Sequence, residues 1–122
     1  MAYEQTLRTI GVPASADLSA SQFCFMTVNS SGQLAAPSAG GDADGVLQDK
    51  PNAAGVQGEL AILGVSKAVV GTGGVTAGDL LAVDVAGKVV TAVTGNKIVG
   101  RALATGAASA LVPVLIQQKG KL

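Results

Sequence analysis

Few side chains in this 122-residue chain are equipped for chemistry. There is no His, and Cys24 is the only Cys. General acid–base and nucleophilic catalysis draw most often on His, or on Cys and Ser activated by a neighbouring base. Carboxylates remain, and Asp79 and Asp84 are candidates for an acid pair only by default. Asp42, Asp44 and Asp49 form an acidic loop with the composition of a calcium site. Their spacing does not follow the helix–loop–helix calcium pattern and no closing Glu is present, so a solvated loop is the reading. The run Gly71-Thr72-Gly73-Gly74 has the look of a phosphate cradle. Neither Gly-Lys-Ser/Thr nor a helix pattern follows it, so a β-turn is expected. Cys24 lies in the apolar run Phe23-Cys24-Phe25-Met26 and reads as a small buried hydrophobe. No catalytic residue, cofactor or metal site is expected.

The elements that would have to position such groups are short and apolar. Hydrophobic residues make up 48% of the chain but aromatics only 2%, so the core must be built from Val, Leu, Ile and Ala. A core without large aromatic side chains implies that assembly supplies part of the burial. Formal net charge is zero and the Lys and Arg residues are scattered, which argues against nucleic acid as a partner. A lone Cys excludes an intrachain disulfide. Met1 is followed by polar AYEQTLRT rather than a secretory pattern, and no apolar run approaches the roughly 20 residues of a membrane helix. No membrane partner is expected.

Residues 1–17 read as an extended polar arm in which Tyr3, Leu7, Ile10 and Val12 are isolated apolar points. Gly11 and Pro13 oppose a continuous helix through it. Such an arm spans on the order of 55 Å at about 3.3 Å per residue. Residues 18–122 read as a single β-domain. QFCFMTVN (22–29), a Ser-Ser-Gly turn and QLAAP (33–37) form a hairpin. GVLQD (45–49) is a third strand, and ELAILGVSKAVV (59–70) is one long strand or two, with Gly64 marking a bulge or bend. LLAVDVAG (80–87) and KVVTAV (88–93) form the clearest hairpin, because Leu81, Val83 and Val85 alternate with Ala82, Asp84 and Ala86. KIVGRALATG (97–106) and LVPVLIQ (111–117) close the domain. AASAL (107–111) is the one plausible helical stretch, and Pro113 points to an edge position or a strand start. Seven to nine short strands with Gly-rich turns imply an all-β barrel or sandwich.

The stretch VTAGDLLAVDVAGKVV resembles the hammerhead turn of biotinyl and lipoyl carrier domains. Those domains present a modified Lys at the hairpin tip between hydrophobic neighbours. Lys88 instead follows Ala-Gly and precedes Val-Val, which departs from that pattern. A second resemblance covers residues 18–117. The step Val75-Thr76-Ala77-Gly78-Asp79-Leu80 follows a Gly-rich loop. A hairpin and the return Ile98-Val99-Gly100-Arg101-Ala102-Leu103 come next, then an Ala/Gly-rich link to the apolar strand from Leu111 to Ile116. Upstream, FMTVNSSGQLAAPSAGGDADGVLQDKP supplies strand, turn, return, loop and strand in order. This order resembles the small capsid cement, or head decoration, proteins of tailed bacteriophages. No single motif is diagnostic, and the sequence of elements carries the likeness.

The resemblance implies a non-enzymatic virion protein, made in the host cytoplasm, that binds the outer surface of the assembled capsid. It implies a homotrimer, with the major capsid protein and other copies of the chain as partners, that stabilises the shell against internal pressure. The arm is then expected to make the contacts to capsid or neighbouring protomer, through Tyr3, Leu7, Arg8, Ile10 and Val12. Extended arms can add a strand to an exposed sheet edge. Three arms on one trimer multiply weak contacts through effective concentration. The alternative is a non-enzymatic carrier-type or ligand-binding β-barrel for a small molecule or carbohydrate. The scarcity of aromatic platforms weighs against sugar.

Overall fold

The computed structural model describes residues 4–122, all β-structure and loops with no helix among them. Nine strands run in chain order. They are β1 (Gln5–Pro13), β2 (Phe25–Val28), β3 (Leu34–Ala35), β4 (Gly45–Leu47), β5 (Gln57–Val69), β6 (Leu80–Val83), β7 (Val89–Thr91), β8 (Lys97–Ala102) and β9 (Leu111–Lys121). They form one sheet in the order β3-β2-β4-β5-β9-β8-β6-β7, and β1 pairs with β5 off that path. The sheet is curled into a half-barrel. The Phe25 N–H donates to the Gly87 carbonyl at 2.8 Å, and the Gly40 N–H to the Val83 carbonyl at 2.8 Å. These bonds tie the β2 end of the path to the β6–β7 hairpin.

Neighbouring residues feed two separate cores. Phe25, Val46 and Ala61 belong to a larger cluster with Ala68, Leu81, Val83, Val89, Val99, Val112, Val114 and Ile116. Met26, Leu47 and Leu60, each adjacent in sequence to one of the first three, belong to a second cluster with Val12, Ala14, Leu18, Cys24 and Leu34. Successive strand side chains point to opposite faces. The β2–β4–β5 region is therefore covered on both faces, which is why FCFM, GVL and the Leu60-Ala61 pair are unbroken apolar runs.

The expected strands at 22–29, 33–37, 45–49, 59–70, 80–87, 88–93, 97–106 and 111–117 all have counterparts. β5 is a single strand, and Gly64 is its irregular point. Its φ of +106° is in the left-handed region, and a Cβ there would run into the Thr6 carbonyl of β1. AASAL is not a helix. Its Ala110 N–H bonds back to Ala107 at 3.1 Å in a turn, Ser109 has φ +71°, and Ser109 donates to Val70 at 2.8 Å. Pro113 is not at an edge, since β9 lies between β5 and β8. The Pro113 carbonyl accepts from Leu103 at 3.0 Å, one residue beyond the end of β8. A residue's N–H and C=O face the same neighbour in an antiparallel ladder, so the N–H that proline lacks falls where the β8 pairing ends.

Most of the expected arm is itself a strand of the sheet. β1 lies antiparallel on β5, with Ile10 opposite Leu60, Gly11 opposite Glu59 and Val12 opposite Gly58. Backbone pairing compensates for the scarcity of apolar anchors that the sequence shows there.

Candidate docking surface

The carboxylates serve the local fold. Asp84 Oδ1 accepts the Ala86 and Lys88 N–H groups at 2.9 and 3.0 Å and so shapes the β6–β7 turn. Asp79 Oδ2 accepts from the Thr76 N–H at 2.9 Å and the Thr91 hydroxyl at 3.0 Å. Asp44 Oδ2 accepts the Val28 N–H at 2.8 Å, and Asp49 Oδ1 the Glu59 N–H at 3.1 Å. Asp42 pairs with Lys97 at 3.0 Å on the surface. Among the described residues no three of the acidic or Cys side chains come together as a metal cluster. Cys24 is buried, and that burial pushes its thiol above the ordinary value; nearby Lys88 pulls it down and Asp84 adds to the rise.

The Gly71–Gly74 run is a turn, with the Gly74 N–H reaching the Gly71 carbonyl at 3.4 Å. It borders an open groove of about 400 Å³ with Thr76, Thr91, Thr105 and Ala107 on its walls. No aromatic or ionisable side chain lines that groove.

The surface that stands out is the ribbon formed by β1 and the first half of β5. Ala61 is opposite both Thr9 and Val46, so β1 and β4 flank β5 on its two edges there. Beyond this point the ribbon leaves its cover. Ile62 and Leu63 are 40% and 52% exposed, and Ile10 is 42% exposed. The ladder shifts register here, between Arg8 and Thr9, and leaves Ile62 as an extra residue between the paired Ala61 and Leu63. Ile10 shares the face of its partner Leu60 and continues the second core outward. Leu63 pairs with Arg8 just past the register shift.

Of the arm residues expected at contacts, the structure brings Leu7, Arg8, Ile10 and Val12 onto this ribbon. Leu7 is half-buried and packs against the first core. Val12 is buried in the second core at 8% exposure, within the chain itself. Arg8 and Ile10 are exposed. Tyr3 lies outside the described residues. Ile62 and Leu63 were not singled out from sequence. Their signal was present in the run ELAIL, which has two apolar residues beyond the buried Leu60 and Ala61.

One curled sheet, without a helix among the described residues and with its carboxylates spent on its own turns, defines the class as an all-β protein. The family follows from comparison. A family model described as phage cement protein matches residues 4–117, and the chain belongs to that family. It is thus a structural protein of phage virions, associated with the capsid. Among solved structures, it is similar to "The crystal structure of head fiber gp8.5 N base in bacteriophage phi29". The TM-score is 0.77 at 15% identity, over 96% of this chain and 98% of that one, a likeness of fold. No curated protein matches the chain.

Proposed function

We propose that this protein is a cement that docks as a homotrimer on the outer surface of the assembled capsid. Its partner there is the major capsid protein, and it stabilises the shell. The observation that carries the reading is the β1–β5 ribbon, whose Ile10, Ile62 and Leu63 are exposed, in a protein of a capsid-associated family. Monomeric soluble proteins rarely leave contiguous apolar surface without a partner for it. With zero net charge, the chain suits a protein surface better than a nucleic acid. The work falls to binding and no catalytic step is assigned. Arm residues Leu7, Arg8 and Ile10 contribute contacts to capsid or neighbouring protomer. Val12 acts from beneath, by holding the ribbon to the second core.

The test is cosedimentation of the purified protein with expanded, undecorated capsids, beside the mass of the free protein by light scattering. Saturable binding in multiples of three, together with a higher temperature of capsid disruption, is the expected result. Failure to cosediment, or binding with no gain in capsid stability, overturns the reading.

A further inference from the structure

Several costs to the folded chain fall on one stretch, where the start of β8 meets the end of β9. The ladder sets Lys97 directly opposite Lys121, the only like-charged pair among the described strand partners. Like charges so placed repel and weaken the pairing. Between the partners Ile98–Gly120 and Gly100–Ile116, β8 has only Val99, while β9 has Gln117, Gln118 and Lys119. Such a bulge bends the strand and re-aims its side chains. Gln117 Oε1 ends up buried, and among the described residues it is the one buried side-chain polar atom without a hydrogen bond. Lys119 and Lys121 are exposed. Beside them Val93 and Leu122 are 61% and 45% exposed. Both are tied to Asn96, whose Oδ1 accepts the Val93 N–H at 3.0 Å and whose carbonyl accepts the Leu122 N–H at 2.8 Å.

Of the three lysines only Lys97 has an ion-pair partner among the described residues, Asp42 at 3.0 Å. A chain of zero net charge thus gathers uncompensated positive charge around two exposed apolar side chains. Lysines near a strand end also guard an edge against pairing with other chains. Guarding does not call for a repelling pair across the ladder, nor for bare Val93 and Leu122 beside it. Local rules broken together at one place fit a surface that a partner completes.

We propose that this patch docks an acidic segment of the capsid protein. Carboxylates of that segment meet Lys119 and Lys121, and its apolar side chains cover Val93 and Leu122. That the capsid protein is the partner rests on the reading under Proposed function; the acidic character of the segment rests on the lysines. The exposed side chains singled out on the β1–β5 ribbon are apolar, so salt separates the two contributions: it screens the patch and spares the ribbon.

The experiment follows binding of the full chain to expanded, undecorated capsids over time, at low and at high salt. The variants are Lys121→Glu, Val93→Ser and, as a control for net charge, Lys50→Glu on the β4–β5 loop. All three residues are exposed, so circular dichroism should show each variant folded. Should Lys121→Glu fail to fold, Lys121→Gln takes its place. Lys121→Glu sets opposite charges across the ladder, so its urea midpoint is expected to equal or exceed that of the wild type. Its association with capsids is nevertheless expected to slow about tenfold or more at low salt and to lose most of its salt dependence. Lys50→Glu should associate as the wild type does. Val93→Ser should keep the wild-type salt dependence and dissociate faster. Lys121→Glu binding with the wild-type rate and salt dependence overturns the inference, and so does an equal loss in Lys50→Glu. A short DNA duplex that binds through Lys121, or a free-protein mass that falls in Lys121→Glu, assigns the patch to another occupant and also overturns it. In each of these cases the cement role stands. A wild type that binds no capsids at either salt overturns both readings.

Discussion

Gly87, at the tip of the β6–β7 hairpin, accepts the Phe25 N–H at 2.8 Å and has no room for a side chain. A Cβ there would collide with the Phe25 carbonyl, and the φ of +82° is in the left-handed region. One contact therefore joins strands at opposite ends of the sheet path. Gly87→Ala is expected to cost about 1–2 kcal/mol for the left-handed backbone. Loss of the closing hydrogen bond adds about 1–3 kcal/mol. Urea denaturation should show a lower midpoint with a similar slope. An unchanged midpoint would mean that the curl closes without this contact.

The turn beneath that glycine depends on Asp84, whose Oδ1 holds two N–H groups. Asp84→Ala is expected to cost about 1.5–3 kcal/mol, the range for hydrogen bonds to a charged group. Asp42→Ala breaks only an exposed pair with Lys97 and should change stability by less than about 1 kcal/mol. Thermal melts of the two variants separate a carboxylate that shapes a turn from one that does not. Equal melts would contradict this assignment.

Cys24 gives a pH-dependent prediction. Burial favours the neutral thiol in the folded chain, so the folded group keeps its proton to higher pH than the unfolded one. Its contribution to stability is complete below the ordinary thiol value of 9.0 and is lost as pH rises toward the folded value. Wild type should therefore lose more stability than Cys24→Ala between about pH 8 and about pH 10, a window set by ordinary thiol titration. Parallel urea curves at several pH values measure the difference. The thiol should also resist alkylation until the chain is unfolded.

The strands were legible wherever burial left a pattern. Leu81 and Val83 alternate with smaller or polar neighbours, and FCFM, GVL and Leu60-Ala61 are continuous because two cores flank them. β1 was illegible as a sheet strand for the opposite reason. Of its nine residues only Val12 is buried, so neither alternation nor an apolar run marks it, and backbone pairing to β5 is what places it. Pro113 misled because a proline rule speaks of ladders, while the position of its missing N–H is fixed by where β8 stops. The apolar ribbon was half legible. Leu7 and Ile10 were visible as apolar points in a polar segment, but their opposite fates depend on which core each strand face meets.

That difference supplies the last prediction. Leu7 packs against the first core, whereas Ile10 is 42% exposed at the margin of the second. An aspartate at Leu7 puts charge into a half-buried apolar setting, which costs stability unless the ribbon moves away. An aspartate at Ile10 stays in contact with water in the free chain and meets a desolvation penalty only when a partner covers the ribbon. Leu7→Asp is therefore expected to lower both the urea midpoint and capsid binding. Ile10→Asp should keep a near wild-type midpoint and lose most of its binding, because every copy in an assembly loses the same contact together. Denaturation curves and capsid-binding isotherms for both variants measure the two effects. If Ile10→Asp bound capsids with wild-type affinity, the ribbon would carry no part of docking. If it unfolded at much lower urea, Ile10 would belong to the core and not to the surface.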